Sequence, residues 1–338
     1  MQARNAPSNP SPRRLAIALG DPAGIGAEVT LKALADPDPQ AAAPLLVGCR
    51  HWLEQRYSAL RALGAGPLRD PAELELIDLP LAEPVRAGES TTVAGAASFQ
   101  WLTAATEAVQ SGRCHALVTA PIAKASWHSA GHRYPGQTER LAELAGVTEA
   151  SMLFTAQSPA GGWRLNTLLA TTHIPLAAVP RQLTPELVQQ KLDVLLAFCR
   201  RFSSEPHLVV AGLNPHAGEA GQLGREEAEW LEAALETWRL EHPEVRLEGP
   251  VPPDTCWLSA AEAWQGSGAG PDGYLALYHD QGLIPVKLLA FDAAVNTSLG
   301  LPFLRTSPDH GTGFAIAHRG VARAASMAAA LETAWSLG

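Results

Sequence analysis

Short apolar runs alternate with longer amphipathic stretches in the first part of the chain. The runs LAIAL, PLLVGC, ELELID and HALVTA predict strands, because short apolar runs between turn residues are typical of buried strands. Between them lie stretches with apolar residues at helical spacing, namely AEVTLKALA, HWLEQRYSALRALG and GAASFQWLTAATEAVQ. This alternation predicts β-α-β units and a largely parallel sheet.

The same alternation continues in the second part of the chain. It predicts strands at MLFTA, RLNTLLATT, HLVVAGL and YLALYH, and helices at TPELVQQKLDVLLAFCRRF and GREEAEWLEAALETWRL. Thr184, which is followed by Pro and Glu, is a typical helix N-cap. We therefore expect an α/β protein with two α/β halves. Ligands of such folds bind beyond the carboxyl ends of the strands.

Composition and charge narrow the classes of protein. Of the 338 residues, 46% are hydrophobic and 17% are charged, and this charged share is below the roughly 25% of an average soluble domain. Much of the chain should therefore be buried. The net charge is -9 and no long basic run occurs, which argues against nucleic acid as a partner.

Other features predict a cytoplasmic protein without a membrane partner. No stretch approaches the roughly 20 apolar residues that a membrane-spanning helix needs. The cysteines lie far apart and form no CxxC pair, so we interpret them as reduced core residues: Cys49, Cys114, Cys199 and Cys256. Residues 1–14 have the Pro, Ser and Asn content of a disordered tail.

Three histidines follow apolar runs in the second half of the chain. LLATT leads into His173, VVAGLNP into His216 and YLALY into His279. At equivalent strand ends they could converge on one crevice. Neutral imidazole binds zinc and similar divalent metals, and three histidines leave a coordination position for a substrate. A shared metal site and three separately hydrogen-bonded histidines both remain open.

A second set of polar residues lies at or near the apolar runs that follow His279. Lys287 lies in LIPVKLLAF, Asn296 in AVNTSLG and Arg305 in PFLRTS. Two cations and an amide donor are the groups that hold a phosphate. A structural ion pair is the alternative for each of the two cations.

Two glycine-rich segments could approach a ligand. GDPAGIGAEV, residues 20–29, follows the first strand, and DHGTGFAIAHRG, residues 309–320, precedes a helical segment. The first matches neither GxGxxG nor the GxxxxGK[ST] phosphate loop. Each segment could bind an anion at a helix N-terminus or could be a tight turn without a ligand.

Several long motifs occur in one order along the chain: GDPAGIG, VTAPIAK, YPGQTE, LLATTHIPL, GLNPHAGE, GPVPPDT, YHDQGLIPVK and VNTSLGLPFLRTSPDHGT. In this order they resemble the 4-hydroxythreonine-4-phosphate dehydrogenase family, the oxidoreductases of pyridoxal phosphate biosynthesis. The resemblance covers nearly the whole chain after the tail. GLNPHAGE and YHDQG are its most specific motifs.

The resemblance implies the fold of isocitrate and isopropylmalate dehydrogenases, with two α/β/α domains around a cleft. Residues 15–123 together with 282–338 would form the first domain, on the cofactor side. Residues 124–281 would form the second domain, on the metal and dimer side. The family also implies NAD or NADP, a divalent metal such as Zn, Co or Mg, and a homodimer whose active site lies at the interface and draws on both chains.

Carried over motif by motif, the resemblance implies roles for individual residues. The metal ligands would be His173, His216 and His279. The substrate and its phosphate would be held by Gln137, Thr138, Lys287, Asn296 and Arg305. Gly311 and Thr312 would contact the cofactor.

A general base is also needed, and Asp254, Asp280 and Lys287 are candidates. We retain Asp254 and Lys287 as catalytic residues. Asp254 lies in the family-like motif PPDT, and the alternative for it is a cap on a helix that begins near Cys256.

The implied reaction is the oxidation of 4-phosphooxy-L-threonine to 2-amino-3-oxo-4-phosphooxybutanoate, which decarboxylates to 3-amino-2-oxopropyl phosphate on the route to pyridoxine 5'-phosphate. One alternative is a dehydrogenase of the same family that acts on 4-phospho-threonate or 4-phospho-erythronate. A more distant one is a metal-dependent hydrolase or a protein that only binds a phosphorylated metabolite.

The chain departs from the family pattern at a few positions. Many members have a histidine where this chain has Gln137. Glutamine donates and accepts hydrogen bonds but carries no charge near neutral pH, so a role for this position as an acid or a charged phosphate contact is in doubt. Gly313 and His318 also differ from the expected Ala and Gly, which bears only on the cofactor contact.

Overall fold

The computed structural model describes residues 13–35 and 44–338, so residues 1–12 of the predicted tail lie outside the described residues. The strands are β1 (Leu15–Ala18), β2 (Leu45–Gly48), β3 (Glu75–Asp78), β4 (Ala116–Thr119), β5 (Ser151–Gln157), β6 (Arg164–Leu169), β7 (His207–Ala211), β8 (Arg246–Val251), β9 (Gly273–Ala276), β10 (Val295–Leu299) and β11 (Leu304–Pro308). The helices are α1 (Gly26–Ala33), α2 (Arg50–Ala62), α3 (Thr92–Gln110), α4 (Lys124–Ser129), α5 (Gln137–Ala145), α6 (Val179–Gln182), α7 (Pro185–Cys199), α8 (Glu232–Glu241), α9 (Leu258–Trp264), α10 (His279–Ala290) and α11 (Ala325–Leu337).

Within the described residues these strands form one sheet in the order β3-β2-β1-β4-β11-β10-β5-β6-β9-β7-β8. The outer parts are parallel, and the antiparallel pairs β11-β10, β10-β5 and β5-β6 lie between them. The predicted α/β class and the largely parallel sheet are confirmed. The sheet runs through both predicted domains, because β10 pairs with β5, and the proposed domain boundaries stay a prediction.

Every apolar run predicted as a strand contains one, but some of these strands end early. β6 ends at Leu169 and β9 at Ala276, so His279 is the first residue of α10 and not the end of a strand. At the end of β9 the Gln281 side chain accepts the N–H of Leu277 at 2.7 Å, which replaces a ladder hydrogen bond. The segment LIPVKLLAF belongs to α10 with Pro285 inside the helix.

Local signals fix the helix that begins after Thr184. The Thr184 hydroxyl accepts the backbone N–H of Leu187 at 3.2 Å, and Pro185 occupies the first helical position of α7. The predicted cap is therefore confirmed. The inward face of α7 places Val188, Leu192 and Leu195 in the main hydrophobic core.

The cysteines agree with the expectation that they are reduced core residues. Cys49, Cys114, Cys199 and Cys256 are all buried and free of disulfides. Burial raises the pKa of the Cys256 thiol to about 12, so this thiol stays protonated and unreactive. None of the helices in the described ranges is long and apolar enough to cross a membrane.

Candidate active site

The loops that carry the three predicted ligand histidines leave neighbouring strands. β9 lies between β6 and β7 and is parallel to both. The carboxyl ends of these strands therefore meet at one edge of the sheet. His173 follows β6, His279 follows β9 and His216 follows β7. This topology agrees with the expectation that the three loops share one crevice.

Two of the three imidazoles lie together. The ring centroids of His173 and His279 are 5.5 Å apart. His279 Nδ1 lies 2.7 Å from Asp280 Oδ1. Although His173 is exposed, the surrounding protein displaces water from its ring and lowers its pKa, and the charge of Lys124 acts in the same direction. His173 is thus held in the neutral form that binds metals.

His216 lies in a tight loop after β7. Its backbone is left-handed, with φ of 53°, and its Nδ1 lies 3.3 Å from Glu219 Oε2. Among the described residues, no three His, Cys, Asp or Glu side chains are arranged together to hold a metal ion. One chain therefore pairs His173 with His279 but does not bring His216 into a complete ligand set.

A cavity of about 350 Å³ lies beside the histidine pair and contains most of the predicted substrate residues. Its lining includes His173, Gln137, Thr138, Asn296, Arg305 and Gly311, together with Thr119, Lys124, Glu139, Asp309 and His310. β4, β10 and β11 reach it from one side, and the first turn of α5 reaches it from another.

Arg305 is the most deeply buried cation of this cavity, with 3% of its surface exposed. Its guanidinium donates to Thr119 Oγ1 at 2.7 and 3.1 Å and to Ser298 Oγ at 3.2 Å. In the part of the chain that the structure describes, no carboxylate lies within ion-pair distance of it. Burial lowers the pKa of Arg305 to about 10, so it remains charged at neutral pH. The charge of Glu139, which lines the same cavity, acts on Arg305 from beyond ion-pair distance. A buried cation whose hydrogen-bond partners are all neutral is suited to bind an anion.

Further polar atoms of the cavity lack a partner among the described residues. They are Asn296 Oδ1, Gln137 Oε1 and His310 Nε2. Gln137 donates through Nε2 to the Ala120 carbonyl at 3.2 Å, so its amide is oriented with the oxygen left over. Buried polar groups without partners cost free energy unless a ligand or water satisfies them. These atoms are candidates for direct ligand contacts.

Lys287 is paired with an acid of the cavity. On α10 its ammonium forms an ion pair with the carboxylate of Asp309, and Asp309 lines the cavity while Lys287 is not among the lining residues. In this structure Lys287 therefore has the structural ion pair that was the alternative to a phosphate contact. Its predicted roles in substrate binding and catalysis stay predictions.

Asp254 lies beyond β8 and is exposed. The alternative that it caps a helix near Cys256 is wrong, because α9 begins at Leu258 after Trp257 and has no side-chain cap. β8 is parallel to β7, so this segment follows the same edge of the sheet as the loop of His216.

The two glycine-rich segments pack against each other. Residues 20–30 are buried, and Ile25 donates its N–H to the Thr312 carbonyl at 2.9 Å. A Cβ at Gly24 would lie 2.8 Å from the same oxygen. Residues 20–25 of the first segment therefore form a tight, buried turn that leads into α1. Gly311 is exposed at the cavity, and a Cβ there would meet nothing within 4 Å, which leaves space for a bound group.

Sequence reasoning missed several residues that line the cavity: Thr119, Lys124, Glu139, Asp309 and His310. The signal was available for two of them, because VTAPIAK contains Thr119, the last residue of β4, and Lys124, the first residue of α4, which follows it. Polar residues at that strand end meet the rule that predicted the histidines.

Comparisons with known proteins agree with this arrangement. The family model "Pyridoxal phosphate biosynthetic protein PdxA" matches residues 40–334. A 4-hydroxythreonine-4-phosphate dehydrogenase of Synechococcus sp. (strain RCC307) is 65% identical over 328 residues, 96% of this chain and 99% of that protein. A D-threonate 4-phosphate dehydrogenase of Pectobacterium atrosepticum is 36% identical over 336 residues, 96% and 98% of the two chains.

A solved structure is also similar to this chain over nearly its whole length. The crystal structure of 4-hydroxythreonine-4-phosphate dehydrogenase from Klebsiella pneumoniae superposes with a TM-score of 0.80 at 37% identity. The match covers 96% of this chain and 99% of that one. On the family match, the extent of these similarities and the cavity described above, the chain belongs to the PdxA family of pyridoxal phosphate biosynthetic proteins.

Proposed function

We propose that the protein is a 4-hydroxythreonine-4-phosphate dehydrogenase that oxidises 4-phosphooxy-L-threonine with NAD or NADP. The observation that carries this proposal is the buried Arg305 without a carboxylate partner among the described residues, in a cavity beside paired histidines. The family and the names of its relatives supply the reaction. The product then loses carbon dioxide to give 3-amino-2-oxopropyl phosphate.

The substrate phosphate would lie against Arg305. Three N–H groups of the Arg305 guanidinium are already oriented by Thr119 and Ser298, so this side chain needs little ordering when the phosphate binds. Asn296, Gln137 and Thr138 would contribute neutral hydrogen bonds, and Gln137 cannot act as an acid there. For Lys287 to contact the phosphate, its ammonium would have to exchange the Asp309 carboxylate for the ligand.

His173, His216 and His279 would hold the proposed divalent metal, Zn, Co or Mg. Imidazole nitrogens suit Zn and Co better than Mg, which prefers oxygen ligands. The neutral state of His173 and its closeness to His279 support this assignment. Gly311 and Thr312 would border the cofactor. When bound, the metal supplies positive charge that acidifies a substrate hydroxyl, and the nicotinamide accepts a hydride.

Asp254 and Lys287 remain the candidates for the proton-accepting group. Asp280 is the third, and its carboxylate is already engaged by His279 at 2.7 Å. That contact suits Asp280 to orient the His279 ring, as carboxylates do for metal-binding histidines. Asp254 and Lys287 are thus preferred as bases.

We also propose a homodimer with the active site at its interface. α10 exposes Ile284, Leu288 and Phe291 on one face, with 59%, 80% and 61% of their surfaces accessible. The same helix begins with His279. A partner that covers this face would lie beside a ligand set that one chain leaves incomplete. The buried free cysteines support a reducing compartment, the cytoplasm.

A second candidate substrate is 4-phospho-threonate or 4-phospho-erythronate. The relative from Pectobacterium atrosepticum, named as a D-threonate 4-phosphate dehydrogenase, favours keeping it. Such a substrate retains the phosphate and the hydroxyl but lacks the amino group. Family membership argues against the hydrolase and the mere binding protein.

The test is NADH formation by the purified protein supplied with zinc, cobalt or magnesium. We expect reduction of NAD with 4-phosphooxy-L-threonine, its loss on addition of a chelator, and its loss in His173→Ala. His51→Ala, which changes an exposed histidine on α2, should retain full activity. Faster turnover of 4-phospho-D-threonate would select the second substrate, and no NAD reduction with any metal would refute the dehydrogenase.

A further inference from the structure

The three loops that carry the proposed metal ligands are tied together by buried side chains. Gln281, with 7% of its surface exposed, accepts the N–H of Leu277 at 2.7 Å and donates to the carbonyl of Gly212 at 2.6 Å. Leu277 precedes His279 by two residues, and Gly212 lies at the start of the loop that carries His216. One amide thus joins the ends of β9 and β7.

A second side chain joins the remaining loop. The Thr171 hydroxyl, 7% exposed, donates to the carbonyl of Leu277 at 2.8 Å. Thr171 precedes His173 by two residues. Both polar groups of the Leu277 backbone are therefore taken by side chains from segments that carry proposed ligands. Hydrogen bonds through Thr171, Leu277 and Gln281 therefore link the ends of β6, β9 and β7 in one row.

These contacts lie just beyond the last residues of β6, β7 and β9, where the loops begin. The rest of the His216 loop is also held, because Glu227 accepts the N–H groups of Leu213 and Asn214 at 2.8 and 2.7 Å. Neither Gln281 nor Thr171 lines the cavity. Their position suits them to orient other residues and not to contact a ligand.

We propose that Gln281 and Thr171 are positioning residues for metal binding. They fix the loop of His173 relative to the first turn of α10, which carries His279, and Gln281 ties that turn to the start of the His216 loop. This inference rests on the proposed metal site. A metal tolerates only small displacements of its ligands, and contacts behind the ligands commonly change metal affinity 10- to 100-fold. The Gln281 and Thr171 side chains are both buried and polar, and their side-chain hydrogen bonds among the described residues all lie within this row.

The test is titration of the metal-free protein with Co²⁺, followed by its visible absorption spectrum. Gln281→Met keeps the length of the side chain and removes both hydrogen bonds, and Thr171→Val keeps its shape and removes one. We expect the dissociation constant for Co²⁺ to rise about tenfold or more, with a changed ligand-field spectrum in at least the Gln281→Met variant. Thermal unfolding of each variant is measured alongside.

Asn166→Leu is the matched control. Asn166 is 2% exposed and bridges Thr155 and the Asp272 carbonyl at 2.7 and 2.8 Å, at the amino ends of the same strands. The Asn166→Leu variant should have a lower melting temperature than wild type but should bind Co²⁺ equally well. If Gln281→Met does not fold, Thr171→Val decides.

The possible failures are distinguishable. Co²⁺ binding by the folded variants that equals wild type overturns the positioning role and leaves the metal site standing. An equal loss in Asn166→Leu also overturns it, because general destabilisation would then explain the effect. If the wild-type protein binds no Co²⁺, both the metal site and the positioning role fall.

Discussion

At the scale of single residues, Arg305 is the clearest sign of function. Burying a charge costs free energy, and an ion pair or a ligand is the usual compensation. Arg305 has hydroxyl partners only, Thr119 and Ser298, among the described residues. Lys191 is a buried cation of the ordinary kind, because its ammonium lies 2.6 Å from the Glu149 carboxylate. This contrast supports the proposed anion-binding role of Arg305.

Arg305→Met should remove substrate binding at little cost in stability. The loss of a buried charge offsets the loss of its hydrogen bonds, so we expect the free energy of unfolding to change by no more than about 1 kcal/mol. The value of kcat/KM should fall about a hundredfold, which corresponds to about 3 kcal/mol of lost phosphate contact. Denaturant unfolding and steady-state kinetics measure the two quantities.

Lys191→Met serves as the control for this prediction. It breaks an ion pair away from the cavity lining, so stability should fall while kcat/KM stays near wild type. A large stability loss in Arg305→Met with unchanged kinetics would make Arg305 a structural residue. Sulfate or phosphate should also raise the melting temperature of the wild type and not of Arg305→Met.

The motifs predicted most of the substrate-binding candidates that line this cavity, but they did not predict which cavity residues form ion pairs. Gln137, Thr138, Asn296 and Arg305 all line one cavity, as their proposed role in phosphate binding requires. The ion pair of Lys287 with Asp309 could not be predicted, because it joins a helix to a segment beyond two further strands. Long-range partners of this kind depend on the tertiary fold and leave no local pattern.

At the scale of elements, prediction worked where apolar runs were continuous and failed where polar residues interrupt a strand. β10 has the sequence VNTSL and β11 the sequence LRTSP. Both are central strands, yet their polar side chains face a cavity or each other, so neither shows the pattern of a core strand. Arg305 pairs across these strands with Ser298, and the functional residues themselves obscured the signal.

α10 packs closely against the sheet because residue 282 is a glycine. A Cβ at this position would lie 2.7 Å from Leu169 Cδ2, 2.9 Å from Ala276 Cβ and 3.0 Å from Thr167 Cγ2. Gly282→Ala should push the first turn of α10 away from β6 and β9 and displace His279. We expect a loss of about 1–3 kcal/mol in the free energy of unfolding and weaker metal binding.

Denaturant unfolding and metal titration check this prediction, and Gly268→Ala is its control. A Cβ at Gly268 would meet nothing closer than 3.7 Å, so this variant should behave as wild type. If Gly282→Ala were as stable as the control, the helix would have room to shift without cost, and the close packing of α10 would not determine the position of His279.

At the scale of the whole molecule, the apolar face of α10 requires an explanation. Ile284, Leu288 and Phe291 recur at helical spacing and are exposed together. Single exposed apolar residues are common, but a contiguous face on one helix marks an interaction surface. The same helix carries His279 and Lys287, so whatever covers this face also borders the candidate active site. In the proposed homodimer, a second copy of the chain would cover this face and would also border the candidate active site.

If the proposed homodimer forms through this face, Leu288→Glu should both separate it and inactivate the enzyme. A charge at the centre of a buried apolar interface has no partner and costs several kcal/mol. By analytical ultracentrifugation the wild type should sediment as two copies of the 35.7 kDa chain and the variant as one. Leu240→Glu changes a leucine of α8 that is 74% exposed, and it should remain an active dimer. A Leu288→Glu variant that stays dimeric would move the interface elsewhere, whereas an active monomer would show that one chain holds a complete site.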